Sequence, residues 1–258
     1  YVQAALQNHN EAEITGGNFI AQSKYSVYNC GCRSNYDTGK LTITDGEFTG
    51  VLQSVGKFDD ITISGGTFHD GIGFGADSSK NVKITGDAFA DKVVAQVGDV
   101  KYVSIEAAIN NAKSGETVKL VNDITGQVVI PAGKDIVFDL NGHTITHTRT
   151  ALYNAGKAVI KDTSSEKNGK VVSTGNVAIA VGDNSVTTIE NGTFESVEGA
   201  VITGYSCGAE INIKDGVFSA SDNAVIAGNG NKTNSNKEVR VNKNVINITG
   251  GKFVSNIK

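Results

Sequence analysis

The residues of this 258-residue chain that could carry out acid–base or metal chemistry are few and widely spaced. Asp59 and Asp60 form the only acidic doublet, but neighbouring residues of a strand point to opposite faces, so the doublet alone cannot supply a paired acid and base. His143 and His147 on one strand would lie about 13 Å apart, at about 3.3 Å per residue, which is too far to share an ion. We interpret the doublet as an exposed turn and the two histidines as surface residues that flank a corner.

Three cysteines, Cys30, Cys32 and Cys207, are too few for a disulfide scaffold, and they leave the compartment and the redox state open. Cys30-Gly31-Cys32 invites a redox or metal role, but the spacing is not CxxC. A disulfide within this one segment would be strained, and a bond from Cys30 to Cys207 is not expected because the two hold equivalent places in different repeats. The pattern favours small buried apolar side chains. The sequence predicts no catalytic residue, no metal ligand and no cofactor.

Tyrosines in or near loops are the residues that best suit a ligand. A tyrosine ring offers an apolar face and a polar hydroxyl group, a combination that suits a sugar ring. The candidate sugar-binding residues are Tyr25, Tyr28, Tyr36, Tyr153 and Tyr205. Loop tyrosines also occur without any ligand, so the pattern alone does not decide between a sugar site and an ordinary surface.

The composition argues against two classes of partner. The net charge of −4 provides no basic footprint for nucleic acid. No apolar run approaches the roughly 18–20 residues of a membrane span. Met is absent from the sequence, which predicts a fragment or a processed chain.

An eight-residue pattern recurs seven times and indicates which elements position these residues. The copies are AEITGGNF ending at Phe19, LTITDGEF at Phe48, ITISGGTF at Phe68, VKITGDAF at Phe89, TTIENGTF at Phe194, INIKDGVF at Phe218 and INITGGKF at Phe253. The first and third positions are mostly apolar, which is typical of a half-buried strand. Glycine holds the sixth position in six copies and predicts a corner with positive φ: Gly17, Gly46, Gly66, Gly192, Gly216 and Gly251. The VKITGDAF copy shifts its glycine to Gly86.

The spacing of the copies predicts the fold class. A repeat of roughly 20–24 residues with short strands and almost no helix indicates stacked coils, so we predict an all-β chain folded as a parallel β-helix, or solenoid. Stacking would place Ile on Ile and Phe on Phe in one continuous core. A β-sandwich is the alternative, but it gives no reason to repeat a Phe after the corner.

The chain contains parts of two tandem modules of roughly 175 residues each. Residues 1–97 are predicted to be the C-terminal part of a first β-helix module, and residues 98–258 the N-terminal part of a second. The parent protein should continue in both directions with further copies. A cap helix is predicted at about 104–113, because its apolar stripe has helical spacing and Ser104 and Gly115 suit its two ends. The stripe is Ile105, Ala108, Ile109 and Ala112.

The join between the modules, ADKVVAQVGDVKYV at residues 90–103, has no Gly/Ser/Pro-rich linker. Its VVAQV stretch supplies apolar residues for packing. We therefore predict a fixed end-to-end arrangement of the two modules. Small-angle scattering should show one elongated shape, and a broad range of inter-module angles would contradict the prediction.

The stretch VGDVKYVSIEAAINNAKSGETVKLVNDI, with IPAGKDIVFDLNGHTI after it, resembles the opening of a repeated module in large surface proteins of Gram-positive gut bacteria. These modules belong to the broad pectate-lyase-like, right-handed β-helix group. The resemblance covers about 50 residues closely and the other repeats loosely. It implies a right-handed coil and a secreted or wall-attached, adhesin-like protein, but no particular activity.

Three functions follow as hypotheses. The leading one is a non-catalytic structural or adhesive module of a secreted or cell-surface bacterial fibre, whose partner is a glycan or another surface ligand. The second is a carbohydrate-binding module that uses the loop tyrosines. The third is a polysaccharide lyase or glycoside hydrolase, because the group that the chain resembles includes such enzymes. The lyases of that group use clustered Asp ligands for Ca²⁺ and an Arg or Lys base, whereas the three arginines here, Arg33, Arg149 and Arg240, lie in different regions.

Overall fold

The structure is a computed structural model that describes residues 3–31, 39–56, 59–74, 82–86, 89, 92–204, 208–228 and 244–256. The chain divides into two compact units, which we call unit 1 (residues 1–108) and unit 2 (residues 109–258). Both are built almost wholly from parallel strands, so the predicted β-helix is confirmed. The predicted module boundary between residues 97 and 98 stays a prediction.

Unit 1 contains long strands that run through most of a turn of the solenoid, here called a coil. Its strands are β1 (Ala4–Asn8), β2 (Glu11–Asn29), β3 (Lys40–Ser54), β4 (Asp60–Ile63), β5 (Thr67–Phe68), β6 (Ile72–Phe74), β7 (Val82–Ile84), β8 (Ala95–Val97) and β9 (Val100–Tyr102). The strands from β1 to β7 pair in parallel. β8 and β9 instead form an antiparallel hairpin, and β9 pairs antiparallel with β7. The repeat pattern did not predict this hairpin, although the VVAQV stretch within it is largely buried, as expected.

The one helix of the described chain is α1 (Ile105–Asn111), which is shorter than the predicted 104–113. Ser104 caps it as predicted, because its hydroxyl oxygen accepts from the N–H of Ala107 at 3.3 Å. At the C-terminal end, Lys134 Nζ donates to the carbonyl oxygens of Asn110 and Ala112 at 2.7 and 2.9 Å. These bonds satisfy carbonyl groups that the helix leaves without partners.

Unit 2 is a three-faced solenoid in which each full coil contributes one strand to each face. The first face holds β10 (Thr117–Leu120), β13 (Asp135–Asp139), β16 (Lys157–Lys161), β19 (Val186–Ile189), β22 (Glu210–Ile213) and β25 (Val245–Ile248). The second face holds β11 (Ile124–Thr125), β14 (Thr144–His147), β17 (Lys170–Ser173), β20 (Thr193–Ser196), β23 (Val217–Ala220) and β26 (Lys252–Ser255). The third face holds β12 (Val128–Ile130), β15 (Leu152–Asn154), β18 (Ile179–Val181), β21 (Ile202–Gly204) and β24 (Ile226–Gly228).

The core of each unit consists of columns of like residues in register. In unit 1, Ile43 lies opposite Ile63, which lies opposite Ile84. The phenylalanines that end the octets stack as predicted, with ring centroids 4.6 Å apart for Phe48 and Phe68 and 5.0 Å for Phe194 and Phe218. Such offset-stacked pairs add to the stabilisation that their burial supplies.

Backbone geometry confirms the glycine corners. The six glycines predicted to have positive φ all do, with φ between 98 and 131°. In the VKITGDAF copy, where the glycine is displaced, Phe89 itself takes a φ of +56° and its ring tilts by 40° against that of Phe68. A bulky residue in the left-handed region is strained, so the octet that departs from the pattern carries a local cost.

Candidate functional site

The strongest candidate for a ligand site lies on the outer face of unit 1, around two of the five predicted tyrosines. The rings of Tyr25 and Tyr28 have centroids 5.5 Å apart and are tilted by 47°. Both side chains are half-buried, and the Lys24 ammonium lies 4.8 Å from the centroid of Tyr25. We call Tyr25, Tyr28, Lys24 and the glutamines described below the tyrosine face.

A β-bulge brings the two tyrosines together. Residues three apart on a regular strand point to opposite faces. Here Tyr25 pairs with Val51 while Val27 pairs with Leu52, so Ser26 is an extra residue in β2 and Tyr28 returns to the side of Tyr25. Bulges commonly re-aim side chains in this way.

Gly50 and Ser26 hold the bulge in place. The Ser26 hydroxyl donates to the Gly50 carbonyl oxygen at 2.6 Å. A Cβ on Gly50 would lie 2.9 Å from the Ser26 backbone nitrogen and 2.8 Å from the Ala21 Cβ, and Gly50 has a φ of +103°. A side chain at position 50 would therefore push the bulged segment away.

Amide side chains flank the tyrosine pair. Tyr28 lies in register between Gln7 of β1 and Gln53 of β3. Gln53 extends along the next coil, where a Cβ on Gly73 would lie 2.4 Å from its Oε1 atom. Aromatic rings can pack against the C–H groups of a sugar while amides bond its hydroxyl groups, so the tyrosine face has the chemistry of a carbohydrate site.

The other candidate tyrosines do not join this pair. Tyr153 lies in β15 of unit 2 and is half-buried, and its hydroxyl oxygen lies 2.8 Å from the position that a Cβ on Gly182 would occupy. Tyr36 and Tyr205 lie outside the described residues.

Asp59 corrects the interpretation of the acidic doublet as an exposed turn, because it is fully buried. Its Oδ1 accepts from the N–H groups of Gly31 and Gly39 at 2.9 and 3.1 Å. Its Oδ2 accepts from the Ser54 hydroxyl and the Gly56 N–H at 2.7 and 2.8 Å. The carboxylate thus satisfies backbone donors where loops meet, a role that depends on the folding of the loops and left no signal in the sequence.

Asp162 has the same role in unit 2. It accepts from the N–H groups of Gly142, Ser164 and Gly169 at 2.8, 3.0 and 2.7 Å. Burial acts to raise the pKa of Asp162, but the hydrogen bonds from these donors outweigh it, so the pKa is lowered.

Polar side chains also stack inside unit 1. Asn8 donates to the side-chain oxygen of Asn29 at 2.7 Å, and Asn29 donates to the carbonyl oxygen of Gly39 at 2.7 Å. Ser54 continues the column in register with Asn29 and donates to Asp59. The sequence analysis missed this ladder, although the Asn at a fixed place in successive coils was its only signal.

The remaining candidates for chemistry are dispersed. Asp60 faces outward and lies 3.5 Å from Lys83. His143 lies 3.3 Å from Asp123, and the Nδ1 of His147 accepts from the N–H of Arg149 at 3.1 Å. No three His, Cys, Asp or Glu side chains in the described part of the chain lie together in a way that could hold a metal ion.

Cys30 is buried, as predicted, but it is disulfide-bonded, which the sequence analysis did not favour. Its partner lies outside the described residues, as do Cys32 and Cys207 themselves. The expected placement of small apolar thiols in the coil therefore holds for Cys30 in position only.

A shallow depression of about 310 Å³ lies over the outer face of unit 2. It is lined by Val159, Thr188, Asn212, Ile213, Lys214, Asn247 and Thr249. Its polar side chains are engaged with one another or with neighbours: Asn247 donates to Asn212 at 2.8 Å, and Lys214 pairs with Glu190 at 3.2 Å.

Comparison with known proteins finds no matching family model, no matching curated protein and no matching solved structure. Among the described residues, no helix is both long and apolar enough to cross a membrane. The geometry of the described residues is therefore the basis for a functional proposal.

Proposed function

We propose that the chain is a non-catalytic structural and adhesive repeat module of a secreted or cell-surface bacterial fibre. The observation that carries this proposal is the set of uninterrupted columns of like residues. Phe194, Phe218 and Phe253 stack at 5.0 and 4.9 Å, and Ile160, Ile189, Ile213 and Ile248 are paired in register. Each coil packs on its neighbours through the same contacts, so coils can be added without a new kind of interface.

The buried carboxylates support a structural role. Asp59 and Asp162 each bind several backbone or hydroxyl donors, and these bonds tie loops to the coil. An acid that is committed to such bonds stabilises the fold and is not free to transfer protons to a substrate.

Mechanical unfolding of the purified chain tests the structural role. Stretching by atomic force microscopy should show force peaks separated by multiples of about 70–80 Å, the extended length of a coil of roughly 20–24 residues. Phe218→Ala should lower the peak force, and Phe253→Ala should lower it less because Phe253 is 37% exposed. Smooth extension without peaks would contradict a load-bearing module.

An assay for polysaccharide cleavage tests the non-catalytic part. Prolonged incubation with acidic polysaccharides should give no new unsaturated or reducing ends. Products that accumulate in proportion to protein concentration would favour the lyase or hydrolase hypothesis instead.

Carbohydrate binding by the tyrosine face is the second candidate function. It is favoured by one observation, the bulge at Ser26 that sets Tyr25 and Tyr28 5.5 Å apart on the same side of β2. Such a site would provide the adhesive part of the fibre with a glycan as its ligand.

A glycan array probed with the intact chain, followed by titration of any glycan that binds, tests this candidate. Tyr25→Ala and Tyr28→Ala should each weaken binding at least about tenfold, the loss expected when a stacking contact of about 1.4 kcal/mol is removed. Tyr153→Ala is the matched control and should bind like the native chain. Equal losses in all three variants, or none, would exclude the tyrosine face.

A further inference from the structure

The two ends of the described coils carry incomplete coils that are complementary. In unit 1, β1 lies on the 25–29 part of β2, but the 11–19 part of β2 has β3 on one side and no described strand on the other. In unit 2, β25 and β26 lie on β22 and β23, whereas β24 has no described strand on its far side. One end thus presents a third-face strand alone, and the other end presents the first two faces alone.

The end of unit 2 exposes an apolar row that is buried one coil further in. Ile246 and Ile248 are 36% and 50% exposed, whereas Ile211 and Ile213, their partners in register, are 0% and 1% exposed. Phe253 is 37% exposed, and its stacking partner Phe218 is 0% exposed. The exposed row therefore has the geometry of a face on which another coil stacks.

The open part of β2 bears the matching row. Its octet, AEITGGNF at residues 12–19, has the same spacing as INITGGKF at residues 246–253. Continuing the register of unit 2 by one coil would place Ala12 on Ile246, Ile14 on Ile248 and Phe19 on Phe253. The same shift would lay β1 along β24, just as it lies along residues 25–29 of its own chain.

We propose that the end of unit 2 formed by β24, β25 and β26 binds the β1–β2 end of unit 1 of a second copy of this chain. The two copies associate head to tail, and β25, β26 and the second copy's β1 complete one coil. Outward residues in this register are compatible, because Glu13 lies opposite Asn247 and Asn18 opposite Lys252, with no pair of like charges. Head-to-tail contacts use different surfaces on the two copies, so the association can extend into filaments. It holds whether or not the module works in a surface fibre.

Sedimentation velocity and light scattering on the intact chain test the proposal, from about 1 µM to about 1 mM, a range that includes weak protein contacts. The mean mass should rise above the 26.9 kDa of the monomer as the concentration increases. Ile246→Lys with Ile248→Lys should stay monomeric throughout. Val129→Lys, a change at a residue that is 40% exposed but lies away from the end, should associate like the native chain.

A mixing experiment distinguishes head-to-tail contact from a symmetric dimer. Ala12→Lys should block the β2 end, and circular dichroism would verify that this variant and the Ile246→Lys/Ile248→Lys variant retain the fold. Each variant alone should be monomeric, and an equimolar mixture should form a 1:1 dimer that grows no further, because one intact end of each kind remains. A native chain that is monomeric at every concentration would overturn the proposal, as would association that persists in Ile246→Lys/Ile248→Lys. The same holds for a mixture of folded variants that does not dimerise.

Discussion

Gly66 illustrates how a single position determines a corner of the coil. Its φ is +98°, and a Cβ there would lie 3.2 Å from the carbonyl oxygen of Gly46 and 3.3 Å from the ring of Phe48. Both the backbone conformation and the close stacking of coils therefore exclude a branched side chain. The same reasoning accounts for the glycine at the sixth position of the octet.

Replacing Gly66 with Val should lower the free energy of unfolding by more than about 1 kcal/mol, because Val cannot readily take a positive φ. Urea denaturation of the intact chain would measure the loss. Thr67→Val is the control, since the exposed Thr67 already lies in a strand and Val favours strands. An unchanged midpoint for Gly66→Val would contradict the corner assignment.

Asp162 predicts how the stability of the protein depends on pH. Its pKa is lowered in the folded state, so its contribution is fully present above the pKa of the unfolded chain and is lost as the pH falls through the folded pKa. Asp162→Asn places an amide where N–H donors converge and should cost about 2 kcal/mol near neutral pH. The difference between native and variant should shrink as the solution is acidified.

Urea denaturation at a series of pH values below neutral would measure this effect. Glu166→Gln is the matched control, because Glu166 lies in the same loop but is exposed. A difference between native and Asp162→Asn that stays constant down to strongly acidic pH would show that the carboxylate charge is not what stabilises the loop.

At the scale of elements, the Phe column links the second-face strands of unit 2. Phe194, Phe218 and Phe253 are in register across β20, β23 and β26. The middle ring is enclosed by a coil on each side, whereas the last ring has a partner on one side only. Position within the column should therefore determine the contribution of each ring.

Phe218→Ala should cost roughly 3–5 kcal/mol, because it leaves a cavity between two stacked rings. Phe253→Ala should cost markedly less, because that ring is already 37% exposed. Thermal and urea denaturation of both variants would compare them. Equal losses would mean that the rings contribute through local strand structure and not through the column.

The tyrosine face shows that an element can depart from its regular pattern to build a surface. The extra residue Ser26 in β2 turns Tyr28 to the side of Tyr25, and Gly50 leaves room for it. A regular strand would have separated the two rings onto opposite faces.

At the scale of the molecule, stability in a solenoid is a sum over coils and their neighbours. The interior coils of unit 2 contact a coil on each side, but β25 and β26 contact described strands on one side only. Opening should therefore begin at this end.

Hydrogen exchange followed by mass spectrometry should show this order. Amides of 245–248 and 252–255 should exchange at least about tenfold faster than those of 186–189 and 193–196, because local opening at an end costs less than opening the middle. If self-association occurs, the difference should shrink as the protein concentration rises. Equal protection in all four segments of a monomeric sample would contradict coil-by-coil stability.

The sequence by itself determined the stacked-coil fold, the glycine corners and the Phe columns. Each depends on a short periodic pattern, such as Ile61-x-Ile63 followed by Gly66 and Phe68, and repetition makes such a pattern legible without knowledge of distant contacts. Only the tertiary structure decided that Asp59 is buried, that β8 and β9 form a hairpin, and that Tyr25 and Tyr28 share a face. These features depend on which loop closes on which coil and on a one-residue bulge. Backbone donors more than 20 residues away surround Asp59, and no local pattern of the chain encodes their approach.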